Sequence, residues 1–341
     1  MNFIENIEIK NFKSIRHQKI EGCKKINVFI GYPNVGKSNI LEALSLFGIS
    51  NIGDTSVNEF LRFESYVNLF FNNDIENSIQ VYLDDSERIE IKLENKQLHI
   101  RSESNKMFFE MAIPLDHYKI DAMEHVDNAS EGYNSLERLQ IKKYSFSEIK
   151  NAYQIGYSKE LISPHGENLA DVIKSNQGLK KTVVELFKDY NLKYATDESN
   201  NIRIIKEYKD QEVKIFPYKQ IADTLRRLIF YKAAILSNTH SVLLFEEPEA
   251  HMFPPYIRKL TTDILFDKTN QFFLATHSPY VLDELILEAG DDLSVYLVDY
   301  KDGETIIHYL SKEDLSEIRQ YGVDLFFNIE SYLKHGQVNN S

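Results

Sequence analysis

Apolar and polar residues alternate from Phe3 to Ile15 (Ile4, Ile7, Ile9, Phe12, Ile15), the period of a half-buried strand pair. Ile26-Asn27-Val28-Phe29-Ile30 is a run rich in β-branched residues and reads as a buried strand, and Asn39 to Leu44 has helical composition and apolar spacing. Ser50 to Asp54 reads as a loop, and Val57 to Phe71 is mixed and aromatic-rich. Ile79 to Leu83, Ile89 to Leu93 and Gln97 to Ile100 alternate between turn-forming separators, which predicts an antiparallel meander. From Arg101 to about Gly132 the pattern is weak and polar, with Pro114 and Gly132 as breakers, and assigns no element. Lys142 to Phe146 predicts a short strand. Asn168 is placed to cap a helix stopped by Gly178, and Leu179 to Tyr190 a second, amphipathic one. A further meander is expected over residues 192–195, 202–208 and 213–216, with one turn at Lys209-Asp210-Gln211. Beyond it, buried strands (Ser241 to Phe245, Phe272 to Ala275) alternate with helices (221–236, 249–266, 281–288). A hairpin around Lys301-Asp302-Gly303 and a last helix, begun by a Ser311/Asp314 capping box and ended near Gly322, complete the pattern.

Composition narrows the class. The 341 residues suffice for about two domains of the usual ~150 residues. A single cysteine, Cys23, excludes a disulfide framework or a cysteine zinc site within one chain, so a reducing cytoplasm is the expected location. No apolar run approaches ~18 residues and no export signal opens the chain, so no membrane is expected. The net charge of −13 argues against a surface that is basic all over. One local exception precedes residue 26: Lys10, Lys13, Arg16, Lys19, Lys24 and Lys25, which read either as solvated strand sides or as a nucleic-acid contact.

The first buried strand runs into Gly31-Tyr32-Pro33-Asn34-Val35-Gly36-Lys37-Ser38, the G-x-x-x-x-G-K-S of a P-loop, and then into a helix. In that context the backbone N–H groups of Gly31, Asn34, Val35, Gly36, Lys37, Ser38 and Asn39 would cradle the phosphates of a nucleoside triphosphate. Lys37 would reach the β/γ phosphates and the Ser38 hydroxyl would ligate Mg²⁺. A second strand ends in Glu246-Glu247-Pro248-Glu249-Ala250-His251. Glu246 is placed to hold Mg²⁺, directly or through water, and Glu247 to polarise the attacking water. The next strand delivers Thr276-His277-Ser278-Pro279, where His277 would reach the γ-phosphate or the water.

Together with Ile9-Lys10-Asn11-Phe12-Lys13-Ser14-Ile15, and with Asn39 and Glu42 after the P-loop, these motifs resemble the SMC/RecF/OLD-type branch of ABC ATPases. They resemble in particular the stand-alone AAA-type ATPases of bacterial anti-phage defence systems. The resemblance covers most of residues 1–100 and 215–310. It implies an α/β P-loop NTPase of the ABC-ATPase head type, two lobes with antiparallel meanders and a short α/β insertion. The expected division is a lobe with the P-loop (1–100), an inserted lobe (101–214), a second ATPase lobe (215–310) and a C-terminal helix and tail (311–341). It also implies ATP sandwiched between two heads, with binding assembling the dimer, or a higher oligomer, and hydrolysis releasing it.

Three departures qualify the resemblance. Where the family has a Ser-x-Gly signature, this chain has Gln220-Ile221-Ala222-Asp223-Thr224-Leu225-Arg226-Arg227. Asp223 or Thr224 would cap the helix, and Arg226 or Arg227 would either reach phosphate across the dimer or lie exposed. The insertion has no heptads and no Cys-x-x-Cys, so no long coiled coil or zinc hook is expected. Nor does the C-terminal part show the carboxylates of a Toprim nuclease. The leading reading is an ATP-hydrolysing switch that controls a separate effector, by family analogy a nuclease. A RecF-type DNA-repair ATPase and a non-hydrolysing nucleotide sensor are the alternatives. The apolar run Val323 to Ile329 would either dock a partner or pack on its own head.

Overall fold

The computed structural model describes residues 3–52, 55–104, 108–115, 140–147, 159–208 and 212–338; Gly132 and the expected turn at 209–211 lie outside them. The alternating N-terminus forms one strand, β1 (Ile7–Phe12); its antiparallel partner β2 (Ile15–Ile20) begins where the expected pair ended. β3 (Ile26–Ile30), buried throughout, leads into α1 (Lys37–Ser45), and a short α2 (Val57–Phe60) lies in the aromatic-rich segment. The meander is β4 (Ile79–Leu83), β5 (Glu87–Glu94) and β6 (Gln97–Ser104), extended by β7 (Phe108–Pro114). These strands make one antiparallel sheet in the order β2-β1-β4-β5-β6-β7. β7 falls where the local pattern assigned nothing. Its register on β6, Leu98 opposite Ile113 and Ile100 opposite Met111, supplies the buried apolar face that local spacing lacks.

β8 (Gln140–Tyr144) is followed by α3 (Leu169–Ser175) and α4 (Gln177–Lys188). Two local expectations are corrected here. Asn176, not Gly178, separates the helices: its side chain accepts from the Leu179 N–H, and Gly178 sits inside the first turn of α4. Asn168 holds the N-cap position of α3 as expected but makes no side-chain cap, because its amide bridges the Ile162 N–H and the Glu160 carbonyl. β9 (Leu192–Thr196), β10 (Ile202–Glu207) and β11 (Val213–Pro217) form a separate sheet in the order β11-β10-β9.

α5 (Asp223–Ser237), β12 (Ser241–Glu246), α6 (Pro254–Phe266), β13 (Gln271–Ala275) and α7 (Pro279–Glu288) alternate as the pattern requires. α6 starts later than residue 249, with Pro254 and Pro255 in its first turn, where a missing N–H costs nothing. β14 (Leu293–Lys301) and β15 (Glu304–Tyr309) form the hairpin, followed by α8 (Lys312–Tyr321) and α9 (Leu325–Val338). The central sheet has the order β15-β14-β3-β13-β12-β8, parallel from β14 to β8. Residues 97–144 thus supply strands to both large sheets.

Successive side chains of a strand face opposite ways, so the central sheet serves two cores. Ile26, Val28 and Ile30 join Leu243, Phe245, Phe272 and Leu274 under α3–α7. Phe29 faces the other side with Leu244, Phe273 and Tyr296, packing α1 between the two large sheets. The C-terminal run lies on its own head: Leu325, Ile329, Tyr332 and Leu333 bury into the first core, while Phe327 is 88% exposed. No helix among the described residues is long and apolar enough to cross a membrane.

Candidate nucleotide site

The expected site residues converge at the carboxyl ends of β3, β12 and β13, neighbours in the central sheet. Gly31 ends β3 where backbone crosses backbone: a Cβ there would lie 2.2 Å from the Val298 carbonyl oxygen. Gly36, at φ +102°, turns the chain into α1, and Asn34 is also left-handed at +63°. Because Gly36 caps α1 with no side chain, the N–H groups of the first turn stay available at the positive end of the helix. Val35 is buried, and its carbonyl accepts from Thr305 Oγ1 at 2.8 Å. The Asn39 amide donates to Ser14 Oγ at 2.7 Å, tying α1 to the β1–β2 turn.

Lys37 folds onto its own loop, donating to the carbonyls of Gly31 (3.0 Å) and Tyr32 (2.8 Å). Burial lowers its pKa to about 8, against the attraction of Glu247 and Glu246. The Ser38 hydroxyl donates to Glu246 Oε1, so two hard oxygen donors, one from α1 and one from β12, already meet. That pair fits Mg²⁺, which takes a few protein oxygens and completes its octahedron with phosphate and water. Glu247, in a left-handed turn at φ +43°, donates its N–H to the Ala275 carbonyl at 2.8 Å. This brings its carboxylate to 3.5 Å from His277 Nε2. Burial lowers the pKa of His277, and Lys37 adds to the effect while Glu247 opposes it, so the imidazole is neutral near pH 7. Glu249, buried, accepts from Thr276 Oγ1 at 2.5 Å and from the His277 N–H at 3.3 Å, binding the β12 turn to the β13 turn.

A layer of charge beneath these residues went unread in the sequence. Glu42 on α1 is fully buried; it accepts from Lys13 and from Arg62 Nε, with Lys143 at 3.6 Å. Arg62 also donates to Glu246 Oε1 at 2.9 Å. Burial works against the charge on Arg62, but Glu42 and Glu246 outweigh it and its pKa is raised. Burial likewise raises the Glu246 carboxyl, and Arg62 and the Ser38 hydrogen bond outweigh it, so that group stays ionised. Three cations from separate stretches of the chain, Lys13, Arg62 and Lys143, thus surround the carboxylates, an electrostatic setting for a polyanion. Lys13 stood within the basic N-terminal cluster, but nothing local marked Arg62 or Lys143.

The signature-like helix is corrected. Ala222 caps α5, and Asp223 instead binds Arg226 (3.0 Å) and Arg227 (2.7 Å). Arg226 is buried, Arg227 lies over the Phe146 ring at 4.7 Å, and Thr224 donates to the His251 carbonyl. Both arginines are held within their own head. The N-terminal basic cluster is divided: Lys10 and Lys19 share Glu8, Lys13 pairs with Glu42 and Arg16 with Glu304, while Lys24 and Lys25 donate to backbone carbonyls.

A P-loop, an acidic strand end and a histidine at the ends of adjacent strands of this sheet are the arrangement of an SMC/RecF-type ABC ATPase fold. The chain belongs to the family described as "AAA domain, putative AbiEii toxin, Type IV TA system", whose model matches residues 26–283. It is 25% identical to an ATP/GTP phosphatase of Helicobacter pylori over 336 residues, covering 84% of this chain and 89% of that protein. The DNA replication and repair protein RecF of a Thermoanaerobacter species is 23% identical over 57% of this chain and 52% of its own length. Among solved structures, an SMC head bound to the C-winged helix domain of ScpA aligns with a TM-score of 0.52 at 15% identity, covering 93% of this chain and all of that one. An SMC head with extended coiled coil, bound to the C-terminal domain of ScpA from Pyrococcus furiosus, aligns at 0.50 and 13% identity, over 94% and 99%. At these identities the structural likeness speaks for the fold.

Proposed function

We propose that this protein is a Mg²⁺-dependent ATP-hydrolysing switch whose heads close around ATP and whose state governs a separate effector. The meeting of Ser38, Glu246, Glu247 and His277 at one sheet edge carries the reading. The first-turn N–H groups of α1 and Lys37 would hold the phosphates, with Lys37 leaving the Gly31 and Tyr32 carbonyls to do so. Ser38 and Glu246 would hold Mg²⁺, which screens phosphate charge and steadies the leaving group. Glu247 would orient and polarise a water for in-line attack, and His277, neutral and 3.5 Å away, would hold Glu247 and the water in line.

The effector, a nuclease in the anti-phage setting, rests on analogy with stand-alone ATPases, and the cytoplasmic location on the lone cysteine. With Arg226 and Arg227 tied to Asp223, contact across the dimer would come from other groups around α5. The divided N-terminal lysines lend no support to nucleic-acid binding through that cluster. The test is light scattering on wild type and Glu247→Gln with and without ATP–Mg²⁺, beside a phosphate-release assay. An ATP-dependent dimer trapped by Glu247→Gln is expected. A monomer indifferent to ATP overturns the switch.

A further inference from the structure

The fold gathers positive charge in a place the linear pattern did not mark. α4 and β9 wall a groove of about 1000 Å³. Lys174, Lys180, Lys188, Lys193 and Lys206 line it, with Glu207 the one carboxylate among the lining residues, on a chain whose net charge is −13. Glu207 is paired with Lys193 at 2.8 Å. The other four lysines have no carboxylate partner among the described residues; Lys174 donates to Asn200 and Lys206 lies over the Tyr208 ring.

A second feature shares the groove. In the order β11-β10-β9, strand β9 pairs on one side only among the described residues, and every residue from Asn191 to Thr196 lines the groove. An open strand edge is a template for another strand. Lysine on the edge strand itself is a common guard against such pairing, and Lys193 fits that description. Lys180 and Lys188 do not, because they stand on α4, the opposite wall. Between the walls lies apolar surface: Val184, 49% exposed, beside the half-buried Leu192 and Tyr194.

We propose that this groove captures an extended acidic segment of a partner protein, which adds as a strand to the free edge of β9. Its acidic side chains would meet the lysine rim, and its alternate apolar side chains Val184, Leu192 and Tyr194. Single-stranded nucleic acid fits less well. Successive bases need several open aromatic faces, whereas Tyr208 is already occupied by Lys206 and Lys214, at 5.5 and 5.2 Å, leaving Tyr194 alone. The segment would belong to the separate effector, so the proposal deepens the switch reading, yet no groove residue lies in the nucleotide site.

The probe is a fluorescein-labelled peptide of alternating glutamate and valine, titrated with the full chain by fluorescence anisotropy. Controls are poly-glutamate, the same peptide N-methylated at alternate residues in either register, and oligo(dT). Binding should weaken with salt and fall about tenfold or more when one register is N-methylated. Lys180→Glu with Lys188→Glu should weaken it by a similar factor while leaving ATP turnover and the urea midpoint unchanged. The proposal is overturned by no binding, by equal binding of poly-glutamate or of both N-methylated peptides, by a preference for oligo(dT), or by indifference to the double substitution. Peptide capture by a chain that fails to hydrolyse ATP would sink the switch reading alone.

Discussion

Glu42→Gln tests whether the buried charge layer holds the site together. The substitution keeps volume and removes the one carboxylate that touches Lys13 and Arg62 and lies 3.6 Å from Lys143. Side-chain exposure is 11% for Lys13 and 5% for Lys143, so these cations would lose their main partner in a dry setting. Removing one partner of a buried pair costs about 3–5 kcal/mol. Arg62 is 48% exposed and keeps Glu246, so its share is screened and the lower end, about 3 kcal/mol, is expected. At a urea m-value of about 3 kcal/mol/M for a chain this large, the midpoint should drop by about 1 M at pH 7.

The pH dependence follows with a definite sign. Burial lowers the pKa of both Lys13 and Lys143, and Glu42 opposes it. Between the lowered folded values and the ordinary lysine value of about 10.4, the unfolded chain binds more protons, so stability rises with pH. Without Glu42 both lysines fall further and the window opens at lower pH. The variant should therefore recover part of its deficit as pH rises from about 7 to 9. A midpoint shift below about 0.3 M at pH 7, or a deficit that widens with pH, would refute the network as described.

Four further outcomes are expected. Lys37→Ala should abolish nucleotide binding measured by a fluorescent ATP analogue, and Glu247→Gln should bind ATP but hydrolyse it about 10²–10⁴-fold more slowly; wild-type turnover in the latter would remove Glu247 from its role. Gly31→Ala should cost about 1–3 kcal/mol or more in urea unfolding and weaken nucleotide binding, since its Cβ meets the rigid Val298 carbonyl at 2.2 Å; an unchanged midpoint would contradict that packing. His277, whose pKa burial lowers, should stay neutral until pH falls below the ordinary histidine range, so its protonation should reduce turnover only below about pH 6.5; His277→Asn should remove that acid limb, and a limb that persists would belong to another group.

Much of this molecule is local and was legible in the chain. Alternation at Ile7–Phe12, the buried run Ile26–Ile30 and the capping box at Ser311 depend on spacing of a few residues, and each became the expected element. The P-loop and the acidic and histidine strand ends were equally readable, because strand-to-turn chemistry needs particular residue types at fixed offsets. What the tertiary structure decided is long-range. Glu42, Arg62, Lys143 and Glu246 meet only because α1 lies between two sheets, and no spacing along the chain encodes that meeting. β7 needed β6 as a partner before its apolar face was visible. The lysines of α4 became a rim only across from the open edge of β9. Periodicity and motif are set by bonded neighbours, whereas the meeting of charges and the freedom of a strand edge are set by packing.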